Sequence, residues 1–235
     1  MHLTPLGDSA LIVHVGDRID EATHARVQAV MEKLEREPLP AVTELVPAYT
    51  TVTLFYNVPV AVAAGAPADG VVGWLGDRVA ARLAEVPADV KPRRGRVVEV
   101  PVCYDTEFAP DLAEIAQRTG LAPEKVVELH QQADYLVYLV GFAPGFPYMG
   151  GLPAELAVMP RRATPRTKVA PGSVGIVGAQ CCIYPLPTPG GWNLLGRTPR
   201  RLFDPQDDPP AVLRAGDRVK FRAITREEFE HWREK

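Results

Sequence analysis

The sequence predicts an α+β protein in two parts, a ferredoxin-like α/β sandwich over residues 1–92 followed by a small β-barrel over residues 93–235. Helical apolar spacing alternates with short strands through the first third of the chain. A basic, turn-rich segment, Lys91-Pro92-Arg93-Arg94-Gly95-Arg96, then interrupts all periodicity and reads as a solvated interdomain linker. Beyond Tyr135 the helical spacing gives way to brief β-prone pieces between Gly and Pro turns, the pattern of a small barrel.

The apolar run Leu11 to Val15 forms the first predicted strand, and Asp20 is placed to cap a helix whose apolar stripe is Val27, Val30, Met31 and Leu34. Pro38 and Pro40 end that helix. Val42 to Val46 and the alternating Thr51 to Tyr56 follow as strands, and Asp69 is a candidate cap for a second helix carrying Val72, Leu75, Val79, Leu83 and Val86. The strand Val97 to Val102 either completes a β-α-β-β-α-β sheet or opens the second domain. Two short helices are expected next, each with proline at its first turn, Pro110 and Pro123, with Gly120 ending the first. Short strands are predicted at 135–142, 174–178, 181–185, 201–203 and 218–224, and a closing helical turn near Phe229 and Trp232.

With 46% hydrophobic and 23% charged residues among 235, the chain has the composition of a globular protein able to bury a core. A net charge of -3 argues against a nucleic-acid or acidic-membrane binder. No stretch reaches the roughly 18 apolar residues of a membrane span, and no secretory leader is evident, so a cytoplasmic protein is expected. Cys103, Cys181 and Cys182 have no metal-ligand spacing and are expected to be packing residues, the adjacent pair pointing to opposite faces of a strand.

The block from Val140 to Pro199 combines features of an anion-handling pocket. Gly190 and Gly191 allow close backbone approach, Trp192 offers a flat apolar wall, and Arg197 with Thr198 brings a cationic fork. Arg161, Arg162, Arg166 and Lys168 on one connection and Arg197, Arg200 and Arg201 on another are candidate ligands for a carboxylate or phosphoryl group. Gln180 can present an amide to a small polar ligand or face water. His130 shares a helical face with Val126 and Leu129 and is either a buried, hydrogen-bonded histidine or a base. Phe142 and Phe146 pack beneath a rigid loop or line a pocket, and Tyr184 divides in the same way between core and site. Gly145 and Gly150 have the spacing of a phosphate loop, but the Lys and Ser or Thr it requires are missing; GxGxxG, HExxH and nucleophile-elbow motifs are absent too.

The ordered motifs Phe142-Ala143-Pro144-Gly145-Phe146-Pro147-Tyr148, Pro160-Arg161-Arg162, Pro165-Arg166, Gly172-Ser173-Val174, Tyr184-Pro185, Pro189-Gly190-Gly191-Trp192 and Gly196-Arg197-Thr198-Pro199 closely resemble the 5-oxoprolinase B-subunit family, also called allophanate hydrolase subunit 1 or the Kip-type kinase-inhibitor family. Gly7-Asp8-Ser9-Ala10-Leu11, Val46-Pro47-Ala48-Tyr49, Pro110-Asp111-Leu112 and His130 extend the likeness over nearly the whole chain. The resemblance implies a cyclophilin-like barrel and a non-autonomous component of a heteromeric 5-oxoprolinase. Such a component works with a companion C subunit and an A subunit to open 5-oxoproline to glutamate, using ATP with Mg held outside this chain. The resemblance equally admits two other roles, inhibition of a sporulation histidine kinase by protein contact and carboxyl transfer in a urea amidolyase system. For the oxoprolinase role, the implied carboxylate and phosphoryl charges fall to Arg166 and Arg197, backbone donors to Gly190 and Gly191, ring contact to Trp192 and orientation to Gln180. Arg197 is joined by Thr198, and His130, Phe146, Arg161, Ser173 and Tyr184 are supporting candidates. No metal ligand and no general base is expected. The chain departs from the family where Cys181-Cys182 stands in place of the usual threonine, which removes a hydroxyl.

Overall fold

The computed structural model describes every residue except 88, 93, 94, 234 and 235. The chain divides into two compact units, Met1–Arg93 and Arg94–Lys235. Arg93 and Arg94 of the expected linker lie outside the described residues.

The first unit runs β1 (His2–Leu6), β2 (Ala10–His14), α1 (Glu21–Arg36), β3 (Val42–Pro47), β4 (Thr51–Tyr56), α2 (Val58–Ala63) and α3 (Val71–Leu83). Its four strands form an antiparallel sheet in the order β1-β2-β4-β3. One face of that sheet (Leu11, Val13, Val52, Leu54, Tyr56) buries against Val27, Val30 and Leu34 of α1 and Leu75, Val79 and Leu83 of α3, the stripe that the spacing predicts. Asp20 caps α1, its carboxylate accepting from Thr23 N at 2.7 Å. Two expectations are corrected. The edge beside β2 is filled by the N-terminal strand β1, which pairs as a hairpin from His2 opposite His14 to Leu6 opposite Ala10. And α3 starts after Gly70 with no side-chain cap, so Asp69 does not serve as one.

The second unit contains β5 (Val97–Val102), α4 (Leu112–Thr119), α5 (Pro123–Gln132), β6 (Tyr135–Val140), β7 (Pro147–Gly150), β8 (Arg166–Val169), β9 (Ser173–Val177), β10 (Gln180–Ile183), β11 (Thr188–Gly190), β12 (Asn193–Arg197), β13 (Arg218–Ala223) and α6 (Arg226–Glu230). Seven strands form one sheet in the order β12-β9-β10-β7-β6-β13-β5. An antiparallel bridge, Cys103 N to Arg197 O at 2.8 Å and Arg197 N to Cys103 O at 2.9 Å, joins the two outer strands and closes the barrel. β11 and β8 form a separate two-stranded ribbon. β5 pairs in parallel with β13, which settles the open assignment of Val97 to Val102 in favour of the second unit.

The barrel interior is filled by Val98, Val100, Val137, Met149, Val174, Ile176, Cys181, Ile183, Leu195 and Phe221, with Ile115 and Val126 of the two helices packed on it. Pro123 opens α5, and Gly120 ends α4 in the left-handed region at φ +71°. Helix α4 begins at Leu112, so Pro110 precedes the helix and does not open it. Residues 201–203 are not a strand; only the isolated bridge Phe203 to Ala211 forms there. Cys181 and Cys182 do face opposite ways, Cys181 into the barrel and Cys182 into a second cluster with Phe146, Val169, Tyr184, Trp192 and Leu194. Among the described residues no helix is long and apolar enough to cross a membrane.

Candidate functional site

Most of the sequence-predicted residues fall in three places, and His130 lies apart from them. One is an open pocket of about 370 Å³ where the end of β12 meets the chain terminus, lined by Gly172, Arg197, Thr198, Arg200, Arg201, Phe229 and Trp232 among others. Arg197 is aimed by its backbone, which closes the barrel, and by its side chain: Nε donates to Pro171 O at 2.7 Å and the guanidinium lies 5.8 Å from the Phe229 ring. Thr198 shapes the turn, its N–H donating to Gly172 O at 2.9 Å and its hydroxyl accepting from Arg200 N at 3.2 Å. Arg200 reaches Glu99 O at 3.0 Å, and Arg201 pairs with Asp204. The Nε1 of Trp232 is buried without a hydrogen-bond partner. The pocket thus brings together three guanidinium groups, two aromatic rings and an unmatched N–H. The sequence offers Phe229 and Trp232 only as a closing helical turn; the capping box of Thr225 and Glu228 that holds α6 is the available signal.

The second place is a buried ion cluster. Asp111, 4% exposed, stands at the N-cap position of α4 without capping it. Its Oδ1 accepts from Arg162 Nη1 at 2.9 Å and Arg166 Nη2 at 2.7 Å, while Oδ2 accepts from Leu194 N at 2.7 Å. Arg166 is thereby committed to the end of β12 opposite Arg197, three residues or about 10 Å of strand away. The expected Arg166 and Arg197 clamp over Trp192 is not brought together. Chemistry-bearing Asp111 is visible in the sequence only as part of a motif, because its partners are 51 and 55 residues away.

The third place is aromatic and closed. Trp192 is 3% exposed and packs 6.2 Å from Phe146 and 6.1 Å from Tyr148, with the Arg161 guanidinium 5.9 Å from its ring. It is a core residue here, not an open wall. Gly190 is needed by packing: a Cβ there would lie 2.4 Å from Tyr184 Oη. Gly191 contributes its carbonyl, which accepts from Arg162 N at 2.8 Å. Tyr184 is buried, and burial raises its hydroxyl pKa. Gln180 opens β10 half-buried, paired with Val177 and Gly150. Ser173 is buried opposite Arg197, its carbonyl accepting from Tyr184 N. Lys168 is exposed on β8.

His130 is fully enclosed beneath the barrel. Its Nδ1 is 2.8 Å from Tyr104 Oη, its Nε2 is 3.6 Å from Cys181 Sγ, and its ring stacks on Phe221. Burial pulls its pKa down to about 3, so it is neutral and is the buried histidine of the two readings, not a base. Cys181 therefore faces an imidazole inside the core.

Gly145, at φ +78°, packs on the Phe203 side chain and the Leu202 carbonyl, and Gly150 lies within β7 against Tyr138, so packing accounts for both glycines of the phosphate-loop spacing. Among the described residues no group of three or more His, Cys, Asp or Glu is placed to hold a metal ion.

A helix-covered antiparallel sheet followed in the chain by a seven-stranded barrel is a fold that this chain shares with carboxyltransferase-family proteins. The family described as "Carboxyltransferase domain, subdomain C and D" matches residues 1–213. The chain is 42% identical to the 5-oxoprolinase B subunit of Bacillus subtilis over 97% of its own length and 95% of that protein. The crystal structure of TTHA0988 superposes with TM-score 0.76 at 37% identity over 92% of this chain, which spans only 40% of that longer polypeptide. The Kluyveromyces lactis urea carboxylase, TM-score 0.72 at 21% identity over 97% of this chain and 22% of its own, shares the fold. The chain belongs to the carboxyltransferase subdomain C and D family, within its 5-oxoprolinase B-subunit branch.

Proposed function

We propose that this chain is the B subunit of an ATP-dependent 5-oxoprolinase that opens 5-oxoproline to glutamate together with a companion C subunit and an A subunit. The observation that carries this reading is the end-to-end match to a protein named as the B subunit of 5-oxoprolinase, 95% of which is covered at 42% identity. A lactam carbonyl is a weak electrophile, so its hydrolysis needs both a driving reaction and firm positioning of the ring. This chain supplies positioning. Arg197 and Arg200 receive the ring carboxylate, Trp232 Nε1 donates to it or to the amide oxygen, and Phe229 covers the apolar edge of the ring. Arg166 acts at one remove, holding β12 through Asp111. ATP and its Mg belong to the companion subunits.

The test is a reconstituted three-component complex assayed for ATP-dependent glutamate formation. Arg197→Ala is expected to leave assembly intact and lower kcat/KM by about tenfold or more, the loss of one charge-assisted carboxylate contact. Wild-type turnover in that variant removes Arg197 from the site.

A further inference from the structure

Helix α6 and the turn after it meet the barrel across a cavity. The five-residue helix buries no side chain. From Thr225 to Arg233 only Phe229 and Trp232 are half-buried, and both line the pocket of about 370 Å³ that also holds Arg197. The inward side of this segment therefore closes on space instead of on packed side chains. Trp232 Nε1 is buried there without an acceptor, although a buried indole N–H ordinarily finds one.

A helix this short is not stable by itself, so its order depends on what ties it to the barrel. Its backbone is tied at Ile224, which is buried and donates its N–H to Val102 O at 3.0 Å, and the backbone hydrogen bonds of α6 beyond that point close within the segment. The side-chain contacts are light. Phe229 lies 4.3 Å from Phe108 between ring centroids, and Arg226 Nη1 pairs with Glu107 Oε2 at 2.9 Å. Both partners of that ion pair are more than half exposed, so water and salt weaken it. Glu107 and Phe108 themselves sit on a firm turn, where Phe108 N and Ala109 N donate to Asp105 O at 2.7 and 2.9 Å, just past the bridge from Cys103 to Arg197. A lightly held segment whose inward side faces a cavity gains order when a ligand fills that cavity.

We propose that α6 is a strap that closes over the ligand of the Arg197 pocket, hinged at Thr225 and latched by Phe108 against Phe229 and by Glu107 against Arg226. The ligand completes the contacts that Phe229 and Trp232 lack in its absence. The proposal rests on the assignment of this pocket to 5-oxoproline and adds to it a moving wall and a positioning residue, Phe108, which acts through Phe229.

The experiment is amide hydrogen exchange in the reconstituted complex, with and without saturating 5-oxoproline and without ATP, so that the ligand is not consumed. Phe229 and His231, whose N–H groups donate to Thr225 O and Glu227 O, are the reporters. Saturating 5-oxoproline is expected to slow exchange at these two amides by about fivefold or more. Phe108→Ala removes one aromatic pair, so it should speed that exchange in the ligand-free complex by about two- to tenfold and raise KM by a similar factor, with a smaller effect on kcat. Phe108→Tyr keeps the ring and should restore both. Glu107→Gln removes the ion pair at a side chain 60% exposed, where the core is untouched, and should speed the same amides by about twofold. Calorimetric binding of 5-oxoproline with unchanged exchange at Phe229 and His231 overturns the strap and leaves the pocket assignment standing. Wild-type exchange in both Phe108→Ala and Glu107→Gln overturns the latch. Absence of calorimetric binding to the wild-type complex sinks the pocket assignment and the strap together.

Discussion

Asp111→Ala tests whether the ion cluster at the start of α4 holds β12 in place. The carboxylate is buried and serves three donors, two guanidinium groups and Leu194 N. Removing it leaves the Leu194 N–H unmatched beside the core, at about 1–3 kcal/mol. Arg162 and Arg166 retain 29% and 26% side-chain exposure, so water recovers much of what they lose, and their share is about 1 kcal/mol. The expected total is about 3 kcal/mol. Asp111→Asn keeps an oxygen for Leu194 N and loses only the charge, so about 1–2 kcal/mol is expected. Urea unfolding at neutral pH should show both as falls in the midpoint at constant m, with the gap between Asn and wild type shrinking at high salt. An alanine variant within about 0.5 kcal/mol of wild type would refute the reasoning. An asparagine variant as unstable as alanine would show that the charge, and not the strand contact, carries the stability.

Two further outcomes follow from the same geometry. Because the His130 pKa falls from 6.5 to about 3 on folding, the unfolded chain takes up a proton below pH 6.5 that the folded chain refuses, so stability drops as the pH falls from 6.5 toward 3. At pH 4.5 this amounts to about 2–3 kcal/mol at most, and His130→Gln should remove that part of the acid slope in unfolding curves collected from pH 7 to 4.5; identical slopes would place the histidine in water. Gly172, at φ +82°, would carry a Cβ only 2.1 Å from Thr198 O, so Gly172→Ala should cost about 2–4 kcal/mol by thermal or urea unfolding, and a neutral substitution would mean that the turn beneath the pocket is not as described.

Local chemistry is readable without coordinates wherever its energy is short-range. The Asp20 cap, the left-handed Gly120, proline at the head of α5 and the opposite faces of Cys181 and Cys182 each depend on a few neighbouring residues, and each stands as its residue type dictates. The helical stripe of α1 is legible for the same reason. Strand β12 is not, because Gly196 and the bulge between Leu194 and Gly196 hide its alternation, and its pairing comes from β9 and from Cys103 nearly a hundred residues earlier.

The choice of partner for each arginine lies beyond any local cue. Arg162, Arg166, Arg197 and Arg200 are chemically equivalent in a string of letters, and their spacing offers one clamp. Folding sets Asp111 beside the first two and Pro171, Phe229 and Glu99 beside the others, contacts that cross 51, 55, 26, 32 and 101 residues respectively (|162−111|, |166−111|, |197−171|, |229−197|, |200−99|). A charge's role is set by whichever opposite charge, carbonyl or ring the chain's long-range closure brings within a few ångströms, since Coulomb and hydrogen-bond energies decay over that distance. Residue identity thus settles what kinds of group the barrel carries, and only its closure settles which of them share a pocket.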